Sequence, residues 1–112
     1  MNKYGLKILN SLLDKYERSV LSKQGSNLHL QIKFNITKIF PKYNHSDYYR
    51  ERVLIDEISY ELQNLKLLFL EVDDDDNILE VKLNLEKKAI EQVYQLTKRV
   101  YLPDYQTKTL NY

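Results

Sequence analysis

Two alternating apolar segments, LLFLEV (67–72) and ILEVKLNL (78–85), flank the run DDDDN and constrain this chain most. Alternation with a period of two marks strands, and Asp and Asn are favoured where a chain reverses. The spacing predicts an antiparallel hairpin whose second strand turns Leu79, Val81, Leu83 and Leu85 inward and Glu80, Lys82 and Asn84 outward. A hairpin alone is marginal in water, so it needs further partners for its apolar face.

Those partners are legible upstream. Leu6, Leu9, Leu12, Leu13 and Tyr16 recur at helical spacing, opposite Lys7, Asn10, Ser11, Asp14, Lys15 and Arg18. This helix of about four turns ends before the polar loop SKQGSN (22–27), with Gly25 as breaker. LHLQIKF (28–34) alternates, with Leu28, Leu30, Ile32 and Phe34 on one face and His29, Gln31 and Lys33 on the other. Asn35 is placed to cap a short helix, ITKIF, which Pro41 ends. Ser46 or Asp47 is placed to cap a long helix from about Asp47 to Lys66, in which Glu51, Leu54, Ile55, Ile58, Leu62 and Leu65 fall near one stripe with Leu54, Ile58, Leu62 and Leu65 as its seam. After the hairpin, Asn84 is placed to cap a last helix over 85–100. Ala89, Ile90, Val93, Leu96, Thr97 and Val100 face inward and Pro103 is the stop.

The order is helix, strand, helix, helix, strand, loop, strand, helix. It predicts an α+β, winged helix-turn-helix-like domain over residues 1–102, with a three-stranded antiparallel sheet and four helices. Residues 103–112 lack periodicity and read as a tail, or a linker to a C-terminal domain beyond this sequence. With 112 residues there is room for one core, not two. Cysteine is absent, which excludes disulfides and thiolate metal sites. Lys3 and Lys7 interrupt the apolar N-terminus, and no stretch approaches the roughly 20 apolar residues of a membrane helix. The chain reads as soluble and cytoplasmic.

Charge is unevenly spread. Residues 1–45 carry eight Lys/Arg and two Asp/Glu, net +6; residues 46–85 carry four and eleven, net −7; residues 86–112 carry five and three, net +2. The two ends suit different partners, or else attract each other within the fold.

The aspartates Asp73, Asp74, Asp75 and Asp76 fit a solvated hairpin tip. An EF-hand loop starting at Asp73 would need Gly at its sixth position and Glu at its twelfth, where Ile78 and Asn84 stand. Asp73 and Asp75 match an Asp-x-Asp metal pair, but the glycine-flanked glutamate that such a nuclease site needs is missing. No cofactor is implied. His29 and His45 lack ligand spacing and read as surface residues. No nucleophile elbow or phosphate-cradling glycine loop occurs, so nothing supports catalysis.

As a DNA reader the wing is poorly charged. The long helix sets Arg50, Arg52 and Lys66 against Asp47, Glu51, Asp56, Glu57 and Glu61, and the loop adds four negatives that phosphate would repel. A better candidate for DNA or an acidic partner is Lys3, Lys7, Lys15, Arg18, Lys23, Lys33, Lys38 and Lys42, unless these are scattered solvated side chains. Tyr43, Tyr48 and Tyr49, together with the four aspartates, are candidates for a protein interface. The tyrosines otherwise cover a seam between helices.

ILNSLLDKYERS (8–19), LHLQIKF, FPKY (40–43), the long helix running into LQNLKLLFLEV, and ILEVKLNLEK (78–87) resemble the N-terminal domain of the nuclease subunit of Wadjet systems. These are bacterial defence operons that recognise and cut plasmid DNA. The resemblance spans about residues 6–98. It implies a partner complex of SMC-type ATPase, kleisin and winged-helix subunit, and a homodimer of the full-length protein. The family's catalytic part is a Toprim domain related to the A subunit of type VI topoisomerases. It lies outside these 112 residues, so no catalytic residue is carried onto this chain. The resemblance implies a non-catalytic arm that contacts partner subunits or double-stranded DNA. The alternative is a free-standing winged-helix DNA-binding regulator.

Overall fold

The computed structural model describes residues 1–21 and 31–101. Along them run α1 (Lys3–Leu21), β1 (Lys33–Asn35), α2 (Ile36–Ile39), a 3-10 turn (Ser46–Tyr48), α3 (Tyr49–Asn64), β2 (Leu68–Val72), β3 (Ile78–Leu83) and α4 (Lys87–Thr97). The strands form one antiparallel sheet in the order β1-β3-β2. The architecture is α+β and winged helix-turn-helix-like, with α2 and α3 as the helix pair and the β2–β3 hairpin as the wing. Gly25, Leu28, His29, Leu30, Lys23 and the tail 103–112 lie outside the described residues.

Helix α1 starts on Asn2, whose Oδ1 accepts from Gly5 N at 2.9 Å. Its buried stripe is Ile8, Leu9, Leu12 and Leu13. It meets α3 closely: a Cβ on Gly5 would stand 2.7 Å from Ile58 Cγ1. The predicted cap of α2 is present, since Thr37 N donates to Asn35 Oδ1 at 3.0 Å. The predicted caps of α3 are not: neither Ser46 nor Asp47 caps it, and a 3-10 turn leads into the helix instead.

Helix α3 is also rotated from its predicted seam. Ile55, Ile58, Ser59 and Leu62 are buried, while Leu54 and Leu65 are 45% and 48% exposed. Its close contact with α1 and the sheet select this sector. Ser59 is accommodated because its hydroxyl donates back to Ile55 O at 2.6 Å. The helix stops at Lys66, a left-handed residue with φ of 61°, and Leu67 N closes the turn by donating to Leu62 O at 3.1 Å.

The hairpin departs from simple alternation. Glu71 pairs with Glu80 but Val72 with Ile78, so Leu79 is one residue too many on β3. This bulge changes the parity of the strand. Ile78, Val81 and Leu83 point into the core, and Leu79, expected inward, is exposed. Asn84, expected outward, is buried: it donates Nδ2 to Lys66 O at 2.8 Å and accepts from Glu86 N at 3.0 Å. It thereby ties the α3–β2 turn to the start of α4.

Helix α4 buries Ala89, Ile90, Val93 and also Tyr94, which the apolar pattern had not marked. It ends at Lys98, left-handed with φ of 56°, well before Pro103. Val100 consequently lies outside the helix and is exposed. Arg99 then folds back onto α1, donating to Asp14 Oδ1 at 2.9 Å and Glu17 Oε1 at 2.5 Å. Tyr94 Oη donates to Glu17 Oε2 at 2.8 Å, so Glu17 holds two groups at the α4 end. Among the described residues no helix is long and apolar enough to cross a membrane.

Candidate interaction surface

The wing turn is built by Asp73. Its Oδ1 accepts from the backbone N–H groups of Asp75 and Asn77, both at 2.9 Å, and its Oδ2 accepts from Asn77 Nδ2 at 3.1 Å. These donors hold its carboxyl below the usual aspartate range. Asp76 takes the left-handed position, with φ of 62°, a conformation that Asp tolerates better than most residues. Asp73 is therefore a structural residue of the turn, and Asp74, Asp75 and Asp76 are left exposed at its tip. Among the described residues no group of three or more His, Cys, Asp or Glu could hold a metal ion.

The wing is fastened to α3 through one cation. Arg52 donates Nη2 to Asn77 Oδ1, lies 3.9 Å from Asp56 Oδ2 through Nε, and stacks over the Tyr43 ring at 4.5 Å. Tyr43 Oη donates to Asp56 Oδ1 at 2.6 Å and accepts from Ile78 N at 3.4 Å. Burial first, then the carboxylate it serves, pushes the Tyr43 hydroxyl up to about 12. On the next turn of α3, Tyr60 Oη donates to Asp76 O at 3.2 Å.

This geometry corrects the tyrosine patch. Tyr43 has no exposed surface; it is a core residue and is not available to a partner. Tyr48 is half-buried against the core, whereas Tyr49 is 69% exposed. The three tyrosines, adjacent in sequence, do not share a surface. Tyr43 alone of the three is fully covered.

The basic residues have mixed roles. Lys7 Nζ sits 5.3 Å from the Phe40 ring centroid and Lys15 Nζ 5.1 Å from that of Phe34. Lys15 also donates to Lys33 O at 2.9 Å, covering the open edge of β1. Lys3 lies over Tyr4 at 5.2 Å, and Lys33 pairs with Glu80 at 3.8 Å. Arg18, Lys38 and Lys42 are exposed, and Lys23 is outside the described residues. The opposite edge, β2, is also covered: Leu70 N donates to Gln63 Oε1 at 2.8 Å. On each edge strand one outward backbone group is thus taken by a helix side chain, which disfavours strand addition by another chain there.

The outer face of the sheet holds Phe69 beside Lys82 and Lys33, and Glu71 directly opposite Glu80. A shallow depression of about 210 Å³ lies among them. The Glu71 carboxyl is raised by its hydrogen bond to Glu80 and by the adjoining negative charge.

The outward side of α3, which would enter a groove in a DNA-reading winged helix, includes Leu54 and Leu65, which helical spacing alone places inward. It presents Tyr49, Arg50, Val53, Leu54, Glu57, Glu61, Asn64 and Leu65. Compared with protein-family models, curated proteins and solved structures, the chain matches none.

Proposed function

We propose that this chain is a non-catalytic arm domain of a bacterial anti-plasmid nuclease subunit of Wadjet type, and that it works by contacting partner subunits. The observation that carries the protein-contact reading is the commitment of Arg52. A winged helix that reads DNA needs cations where α3 and the wing approach phosphate. Here Arg52 is spent on Asn77, Asp56 and Tyr43 inside the wing joint, and the exposed tip beside it is Asp74, Asp75 and Asp76. That leaves Arg50 against Glu57 and Glu61 on the outward side of α3. The assignment to the Wadjet nuclease rests on the sequence resemblance over residues 6–98.

The test has two arms. Duplex DNA binding is measured by fluorescence anisotropy at about 50 and 200 mM salt, a range over which several phosphate contacts lose most of their affinity. The expected result is no binding at either salt. The chain is then offered to the purified ATPase, kleisin and winged-helix subunits of its own operon, and a stable complex with at least one is expected. Tight, salt-sensitive DNA binding would instead favour the free-standing regulator, with Arg18, Lys38 and Lys42 as the first residues to change.

A further inference from the structure

We propose that the outward side of α3 docks a basic, amphipathic helical segment of a partner protein. The inference rests on the protein-contact reading above and adds the surface and the chemistry of its occupant. Single exposed apolar residues are ordinary, but here four lie on one helix side: Tyr49, Val53, Leu54 and Leu65. Val53 follows Tyr49 by one turn, and Leu65 stands three turns beyond Leu54, with Glu61 between them. The apolar residues thus lie at the two ends of the helix side, with acidic side chains in the two turns between, a pattern that suits an apposed amphipathic helix with basic residues flanking its apolar anchors.

Charge selects the occupant. Glu57 and Glu61 lie within the apolar row. Arg52 and Tyr60 hold Asn77 and Asp76 along the flank of the same helix, and Asp74 and Asp75 precede them in the exposed turn. Arg50 is the one cation among the eight outward residues. Nucleic acid and acidic peptides meet repulsion there. A segment with leucines on one side and lysines or arginines around them meets apolar contact and five carboxylates. With an outward backbone group of β1 and of β2 already bonded by a helix side chain, a helix face is the better docking element.

The test uses the full 112-residue chain, isotopically labelled for NMR. Two synthetic peptides of about five helical turns serve as probes. Both carry leucines at helical spacing; one has lysines elsewhere and the other glutamates. The lysine peptide should shift the amides of Tyr49, Val53, Leu54, Glu57, Glu61 and Leu65, and the glutamate peptide should not bind. The double variant Val53→Gln/Leu54→Gln should weaken the lysine peptide about tenfold or more while leaving Tm within about 2 °C, because both sites are at the surface. Equal binding of both peptides, shifts centred on Phe69 or α1, or unchanged affinity of the double variant would overturn the proposal. So would self-association of the chain through α3, which would make a second copy the occupant. If an operon subunit is captured but the lysine peptide does not map to α3, this inference fails and the arm reading stands. If duplex DNA binds tightly, the arm reading itself fails.

Discussion

The Tyr43 hydroxyl offers the sharpest test of how the wing is held. Tyr43→Phe keeps the ring, and so keeps the core volume and the stacking of Arg52 at 4.5 Å. It deletes the 2.6 Å bond to Asp56 and the acceptor for Ile78 N–H. A hydrogen bond to a charged partner contributes about 1.5–3 kcal/mol, and a buried N–H left unpaired adds to the loss. The bond to Ile78 is long at 3.4 Å, so its share is small. The expected loss is about 2–3 kcal/mol, equivalent to roughly 10–20 °C in Tm for a domain of this size. Urea unfolding should show a lower midpoint with an unchanged slope. The pH dependence provides a second reading. With the hydroxyl raised to about 12 in the folded state against 10.0 unfolded, the folded state holds its proton more tightly between these values. Its contribution is therefore complete below pH 10 and is lost as pH rises toward 12. Tyr43→Phe should shallow this alkaline limb, though not remove it, because Tyr94 is also raised by burial and by Glu17. A loss below about 0.5 kcal/mol, well under the hydrogen-bond range, or an unaltered alkaline limb would refute the argument.

Three other outcomes are expected. Gly5→Ala should destabilise the domain by about 1 kcal/mol although Ala favours helix by a similar amount, because its Cβ would stand 2.7 Å from Ile58 Cγ1. Thermal unfolding that shows a gain instead would mean that α1 and α3 are not in close contact there. Arg99→Ala should cost about 1–2 kcal/mol in dilute buffer and less in about 1 M salt, since it releases Asp14 and Glu17 from a partly exposed network; a loss independent of salt would argue that packing dominates. Glu71→Gln should raise Tm at pH values above the ordinary glutamate pKa of 4.5 and change it little at pH well below that. The raised carboxyl holds its proton in the folded state, so its stabilising contribution is present at low pH and disappears as pH rises through its folded value. A Tm gain at pH 3 as large as at pH 7 would contradict that sign.

The order of elements was legible because it depends on local chemistry. Period-two alternation, the α1 stripe around Leu9, Leu12 and Leu13, and the Asn35 cap each concern residues within a turn or two of one another. The acidic character of the wing is equally a property of the sequence, since Asp73, Asp74, Asp75 and Asp76 are consecutive. The internal use of Arg52 was not visible, because Asn77 lies 25 residues further along the chain.

What the sequence determined by itself was therefore the set of elements, their order and their charge. Tertiary structure decided which sector of each element is inside. Leu54, Ile55, Ile58, Leu62 and Leu65 are all apolar, and a helix can turn any sector of that width toward a neighbour. In the fold Ile55 and Ser59 join Ile58 and Leu62 on the buried side, and Leu54 and Leu65 are left outside. Pairing of Val72 with Ile78 inserts the bulge that expels Leu79. Tyrosine suits either side of a surface, and the burial of Tyr43 and Tyr94 is tolerated because the carboxylates of Asp56 and Glu17 accept from their hydroxyls. Periodicity defines a stripe to within about one residue, whereas burial is settled by partners far along the chain.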